Sequence, residues 1–279
     1  MKIVNSVAEL RAFLDNFDQS QVGFVPTMGA IHEGHLSLVR RAKEACGVVA
    51  VSIFVNPTQF NDPKDLERYP RQLQSDCELL EGVGADVVFA PSVEEIYPEV
   101  DTRVFEFGTV DAGMEGASRP GHFNGVAQVV SRLFDIVLPA KSFFGEKDFQ
   151  QVAVIKAMVA QLQLPVDIVV VDTVRESDGL ALSSRNVLLT PEHRASAPHI
   201  YKALQWAKAS AGGGVGVSDV CSGVIERVEA SGLLKVLYFA VVDASSMVEL
   251  VDWSDSENIQ GCIAVQAGAV RLIDNIKLK

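Results

Sequence analysis

Residues 47–55, Gly47-Val48-Val49-Ala50-Val51-Ser52-Ile53-Phe54-Val55, form a nearly unbroken apolar, β-branched run that ends at Asn56-Pro57. It lacks the polar-apolar alternation of a strand with one wet face. Such a run suits a strand buried on both faces, and strands of that kind belong to parallel sheets covered by helices. Residues 85–91 and 165–174 repeat the pattern. Among these runs lie stretches with helical spacing: Leu36, Val39 and Ala42; Leu73, Cys77 and Leu80; Val126, Val129, Val130, Leu133, Phe134 and Val137; Val152, Ile155, Val159 and Leu162. Strand and helix alternating at this pitch predict right-handed βαβ units in an α/β fold with a doubly wound parallel sheet. An amphipathic helix over residues 7–17 precedes them.

From about residue 172 the texture changes. Helical patterns over 201–209 and 217–230 flank Gly212-Gly213-Gly214, and two strand-like runs, 236–243 and 262–273, close the chain, the second with a turn at Gly268. The expected organisation is a first domain over 1–173 and a smaller α+β domain over 174–279 that folds over it. A chain of 279 residues with 48% hydrophobic and 22% charged residues has ample material for a core. Its net charge of -12, with no basic stripe, argues against nucleic acid as a partner. The longest apolar run, 236–242, is far short of the roughly 20 residues of a membrane helix. Asn5, Glu9 and Arg11 interrupt any signal-peptide core, so a cytoplasmic protein is expected. Cys46, Cys77, Cys221 and Cys262 are widely spaced, with no C-x-x-C pair, which argues against disulfide or metal roles.

The most chemically suggestive stretch is residues 24–36. Apolar residues lead in from Val22, Pro26, Gly29 and Gly34 punctuate a turn, and helical spacing begins at Leu36. Glycine allows a ligand to approach the backbone, and a helix N-terminus presents free N–H groups with about half a positive charge. Such a corner favours phosphate. His32 and His35, at i and i+3, can lie on one side of the first turn and donate to an anion. The residue types alone also fit a glycine-rich loop with two solvated histidines. Asn56 and Gln59 follow a buried strand, at the end where open α/β sheets bind ligands. Lys147 lies in a charged corner at the mouth of a helix that Asp148 is suited to cap; a lone lysine is normally a solvated surface charge, and its place at a helix N-terminus in a glycine turn adds weight to a phosphate role. Ser183, Ser184 and Arg185 offer donors suited to phosphate, or form a polar loop before a helix started by Thr190-Pro191. Residues 113–125 read as a mobile glycine-rich loop whose Arg119–Gly125 part suggests a flap.

The motif P-T-M-G-A-I-H-E-G-H over 26–35 resembles the pantothenate synthetase family of the nucleotidyl-transfer superfamily. The likeness continues in F-V-N-P-T-Q-F over 54–60, R-Y-P-R over 68–71, R-P-G-H-F-N-G-V over 119–126, F-G-E-K-D-F-Q-Q over 144–151 and L-S-S-R-N over 182–186. The resemblance implies a Rossmann-like first domain, a second domain acting as a lid, a homodimer, and the ATP-dependent condensation of pantoate with β-alanine. That reaction passes through a pantoyl-adenylate and releases AMP and pyrophosphate on the way to coenzyme A. It implies an ATP site lined by Met28, Gly29, His32, Gly34 and His35, with His35 as proton donor or charge stabiliser. Gly145, Glu146, Lys147, Asp148, Val174, Leu182, Ser183, Ser184 and Arg185 would complete that site. Gln59 and Gln151 would hold pantoate, Gln59 also meeting β-alanine, with Met28, Asn56 and Arg119 as further substrate-binding groups. His32, His35, Lys147, Arg185 and Mg²⁺ would supply the local positive charge, the metal bound mostly by phosphates and water with Asp76 as a candidate ligand. No G-x-x-x-x-G-K-[ST], G-x-G-x-x-G, G-x-S-x-G or H-E-x-x-H motif competes with this reading. Transfer of AMP or CMP to a phosphate acceptor, or nucleotide sensing without catalysis, are the rival readings.

Overall fold

The apolar runs become strands in a computed structural model that describes residues 1–60, 66–67 and 69–279. Asp65 and Arg68, the latter opening the R-Y-P-R motif, lie outside the described residues. The chain divides into two units, one comprising residues 1–107, 118–146 and 154–172, the other residues 108–117, 147–153 and 173–279.

The first unit holds a six-stranded parallel sheet of β1 (Lys2–Val4), β2 (Val22–Thr27), β3 (Val48–Ile53), β4 (Val87–Phe89), β5 (Lys141–Gly145) and β6 (Asp167–Val171), in the order β1-β4-β3-β2-β5-β6. Its helices include α1 (Val7–Leu14), α2 (Glu33–Ala45), α3 (Leu73–Gly82), α4 (Val93–Ile96) and, numbered in chain order, α6 (His122–Val137). Successive side chains on a strand point to opposite faces. On β2, Phe24 meets Phe134 of α6 edge-on at 6.3 Å, while Val25 packs in a cluster with Leu36, Val39, Val49, Leu80 and Val88. Helices therefore cover both faces, which explains why β3 carries almost no polar residue. The strand order reverses between β2 and β5. In sheets of this kind ligands bind outside the carboxyl ends of the strands at that switch.

The second unit contains an antiparallel sheet of β7 (Leu234–Asp243), β8 (Ile259–Ala267) and β9 (Val270–Lys277). Val241, Ile263, Val265 and Leu272 face a core built with α9 (His199–Ser210) and α10 (Val217–Glu229), including Leu204, Val220 and Val224. Ala240, Val242 and Cys262 face the other way, onto Met114, Met247 and Phe149. The short helix α8 (Pro191–Ser196) starts as its sequence suggests, with Thr190 Oγ1 accepting from the His193 N–H and proline at its first turn.

Two expectations need correction. Residues 113–125 are not a loop: they include α5 (Met114–Ser118) and the first turn of α6, with Met114, Glu115, His122 and Phe123 buried. Two of the glycines there, Gly116 and Gly125, serve close packing: a Cβ on Gly116 would lie 1.7 Å from the Asp111 carbonyl oxygen. Asp148, expected as an N-cap, instead ends a 3₁₀ turn, Glu146–Asp148, that runs directly into α7 (Phe149–Leu162). Its carboxylate lies 3.7 Å from Lys147 Nζ. The edge strand β1 and the short α4 carry no strong pattern and were not anticipated.

Candidate active site

The turn after β2 is held from three sides. Thr27 Oγ1 donates to the Ser52 carbonyl at 2.7 Å and accepts from the Gly29 N–H at 3.2 Å. Gly29 has φ +80° and Ala30 φ +50°, so two consecutive residues adopt the left-handed region, costly for alanine. Asp76, on the first turn of α3, clamps them: its carboxylate oxygens accept the Ala30 N–H at 2.9 Å and the Ile31 N–H at 2.8 Å. Asp76 is 1% exposed. A Cβ on Gly29 would come within 2.9 Å of that carboxylate.

His32 then caps α2. Its Nδ1 accepts the Gly34 N–H at 3.1 Å, while His35 Nδ1 accepts the His32 N–H at 3.4 Å. The two rings stack with centroids 4.1 Å apart. A ring nitrogen that accepts a backbone N–H carries no proton, so both neutral imidazoles take the tautomer with the proton on Nε2. A pair of oriented N–H donors thus sits beside the positive end of a helix dipole.

The turn after β3 lies against the same unit's α6. Asn56 is 1% exposed, and its Nδ2 donates to Gln59 Oε1 at 3.3 Å and to the Gly125 carbonyl at 3.2 Å. Its Oδ1 accepts the Tyr97 hydroxyl at 3.1 Å. Burial pushes the Tyr97 phenol up, keeping it a donor. Gln59 in turn donates from Nε2 to Met28 Sδ at 2.9 Å. Its carbonyl accepts from His122 Nδ1 at 2.9 Å and from Arg119 Nη2 at 3.4 Å. Arginine only donates, so its 3.0 Å contact with His122 Nε2 leaves the proton of that imidazole on Nδ1. Gly125 permits the close approach: a Cβ there would lie 2.6 Å from the Thr58 carbonyl oxygen.

The structure thus brings Met28, Gly29, His32, Gly34 and His35 together in one turn, and joins Asn56, Gln59 and Arg119 in a second network that reaches Met28. Within it Asn56 and Arg119 brace Gln59. Gly145 ends β5, and Glu146 opens the 3₁₀ turn that follows.

In the second unit Lys147 is followed by Asp148 and by the half-buried Gln151 of α7. Val174 accepts the Leu182 N–H at 3.0 Å across a hairpin closed at Gly179, whose φ is +95°. The second leg of that hairpin leads into Ser183, Ser184 and Arg185, where Ser183 Oγ accepts the Arg185 N–H at 3.2 Å.

Sequence reasoning missed the braces. Thr27, Tyr97 and His122 were not singled out, and Asp76 was considered only as a metal ligand. The R-P-G-H-F-N-G motif held a signal for His122 but was read as a flap. Among the described residues no group of three or more His, Cys, Asp or Glu is arranged to hold a metal ion.

Comparison with known proteins bears on this arrangement. The family model described as pantoate-beta-alanine ligase matches residues 2–277. The chain is 52% identical over 279 residues to a pantothenate synthetase of Porphyromonas gingivalis, covering 99% of each chain. It is 50% identical over 281 residues to one of Bacteroides thetaiotaomicron, covering 100% and 99%. Among solved structures, pantothenate synthetase from Thermus thermophilus superimposes with a TM-score of 0.94 at 47% identity, covering 100% of this chain and 99% of that one. Pantoate-beta-alanine ligase from Francisella tularensis, complexed with beta-gamma ATP and β-alanine, gives 0.83 at 37% identity, covering 100% and 98%.

Proposed function

The chain belongs to the pantoate–β-alanine ligase family, whose members join carbon to nitrogen, and from that premise we propose that it condenses pantoate with β-alanine through a pantoyl-adenylate. ATP is the energy source, consumed as its Mg²⁺ complex; the ATP and β-alanine bound by the Francisella relative support both substrates. A carboxylate is a poor acyl donor because its leaving group would be an oxide. The pantoate carboxylate attacks the α-phosphorus of ATP and pyrophosphate departs. The amine of β-alanine then attacks the acyl carbon and AMP departs. Neither step requires a nucleophile from the protein, which has to orient the reactants and absorb negative charge.

His32 and His35 are the groups we assign to the phosphates, with Nε2 left to donate; the two backbone N–H groups directed at their Nδ1 atoms are the observation that carries the reading. Lys147, Ser183, Ser184 and Arg185, with Gly145, Glu146, Asp148, Val174 and Leu182, are proposed as further ATP-binding groups on the strength of their motifs. Gln59 and Gln151 suit pantoate because an amide both donates and accepts. Asp76, with both oxygens engaged by backbone N–H groups, shapes the turn; Mg²⁺ would be held mostly by the ATP phosphates and water, and would supply positive charge there. A homodimer, a cytoplasmic location and a lid role for residues 174–279 are proposed from the family likeness. No helix of the described residues is long and apolar enough to cross a membrane.

Pantoate-dependent exchange of labelled pyrophosphate into ATP tests the reading. His35→Ala and Lys147→Ala should each lose on the order of 10²- to 10³-fold in exchange, the usual scale for one charge-stabilising group. Near-normal exchange in both would refute the assignment. AMP release that ignores β-alanine would favour transfer to another acceptor.

A further inference from the structure

Two consecutive residues near the end of the chain, Asp274 and Asn275 on β9, touch two of the motifs assigned above to ATP. Successive strand residues face opposite sides of a sheet. Asp274 pairs across the ladder with Ile263, which faces the helical core, and Asn275 pairs with Cys262, which faces Met114 and Phe149. On the helical side Asp274 receives a bidentate pair from Arg175, Nη1 to Oδ2 at 2.6 Å and Nη2 to Oδ1 at 2.9 Å. That guanidinium also lies 3.8 Å from the Tyr201 ring centroid and donates to the Gly179 carbonyl at 3.2 Å. The hairpin that presents Val174 and Ser183–Arg185 is thereby pinned at its turn. On the other side Asn275 Nδ2 donates to the Lys147 carbonyl at 3.0 Å, and its Oδ1 accepts from Gln260 Nε2 at 2.7 Å. Asn275 is 4% exposed, so this amide is oriented by buried partners rather than by water.

We propose that Asp274 and Asn275 are positioning residues that hold the Lys147 turn and the Val174–Arg185 hairpin in one fixed register for the triphosphate, a role that rests on the ATP reading of those two motifs. The chemistry favours this over simple sheet stability. Neither side chain is apolar, each replaces a core position on its face, and each directs hydrogen bonds to a segment outside the sheet. A mispositioned cation costs transition-state stabilisation steeply, because its charge acts over a short range.

Asn275→Asp and Asn275→Ala test this in the full-length enzyme. Asn275→Asp keeps the acceptor for Gln260 and removes the donor to Lys147. Both variants should raise the KM for ATP in pyrophosphate exchange about three- to tenfold, the scale of one lost hydrogen bond, while the KM for β-alanine in the complete reaction stays unchanged. Leu272→Ala, in the same strand and part of the apolar core rather than of either motif, should lower the thermal midpoint and leave the KM for ATP alone. In a Lys147→Ala background the Asn275→Ala change should add almost nothing, because it acts through that lysine. An unchanged KM for ATP in both Asn275 variants, with Lys147→Ala impaired, would overturn the positioning role while sparing the ATP reading. So would a full Asn275→Ala effect that persists without the lysine. Near-normal exchange in Lys147→Ala would instead overturn the ATP reading and the proposal with it.

Discussion

Asp76 is the residue whose role changed most between sequence and structure. A buried carboxylate is costly unless its charge is met, and here two backbone N–H groups meet it. In return it holds Ala30 at a positive φ that the alanine would not adopt alone. Asp76→Ala should leave two buried N–H groups without a partner, at about 1–3 kcal/mol each, and release the turn that carries His32. Urea unfolding should show the stability loss. Pyrophosphate exchange in the folded variant should fall on the order of 10- to 100-fold, since displacement of about 1 Å is enough for that. Exchange at the parental rate in a folded Asp76→Ala would show that the turn keeps its shape unaided. Gly125→Ala offers an independent test. Its Cβ would collide with the Thr58 carbonyl, so the displaced 56–59 turn should weaken pantoate use and leave ATP affinity intact, measured by the two KM values.

At the scale of elements, the parallel strands were legible and the braces between them were not. Runs such as 47–55 mark strands because burial on both faces leaves no place for polar residues. Residues 113–125 misled because a glycine-rich composition suggests a loop, whereas Gly116 and Gly125 are small so that backbone can touch backbone. The end of β7 illustrates a local device with a pH signature. The Asp243 carboxyl is held down at about 2, chiefly by the Ser256 hydroxyl and then by the N–H and hydroxyl of Ser246. A folded pKa below the unfolded value means that the stability contributed is complete above the unfolded value and lost as pH falls through the folded one. Asp243→Asn should therefore be less stable than the parent at neutral pH, with the gap closing between about pH 4 and about pH 2. Urea midpoints taken across that range would reveal a parallel offset if the expectation is wrong.

For the whole molecule, an acidic chain with a net charge of -12 is proposed to bring a carboxylate and a triphosphate together. Local donors must then outweigh the overall charge, which salt screens over about 8–10 Å. A non-hydrolysable ATP analogue at 100 times its dissociation constant should stabilise the enzyme by about 2.7 kcal/mol, seen as a raised thermal midpoint. At that same analogue concentration the rise should be much smaller in Lys147→Ala; an equal rise would remove the lysine from ATP binding. The sequence by itself determined the parallel sheet, the strand–turn–helix corner at 26–35 and the family, because periodicity and contiguous motifs are written in neighbouring residues. Only the tertiary structure decided which side chains hold that corner in shape. Ala30 meets Asp76 across 46 positions and Lys147 meets Asn275 across 128, and partners so far apart leave no local pattern to read.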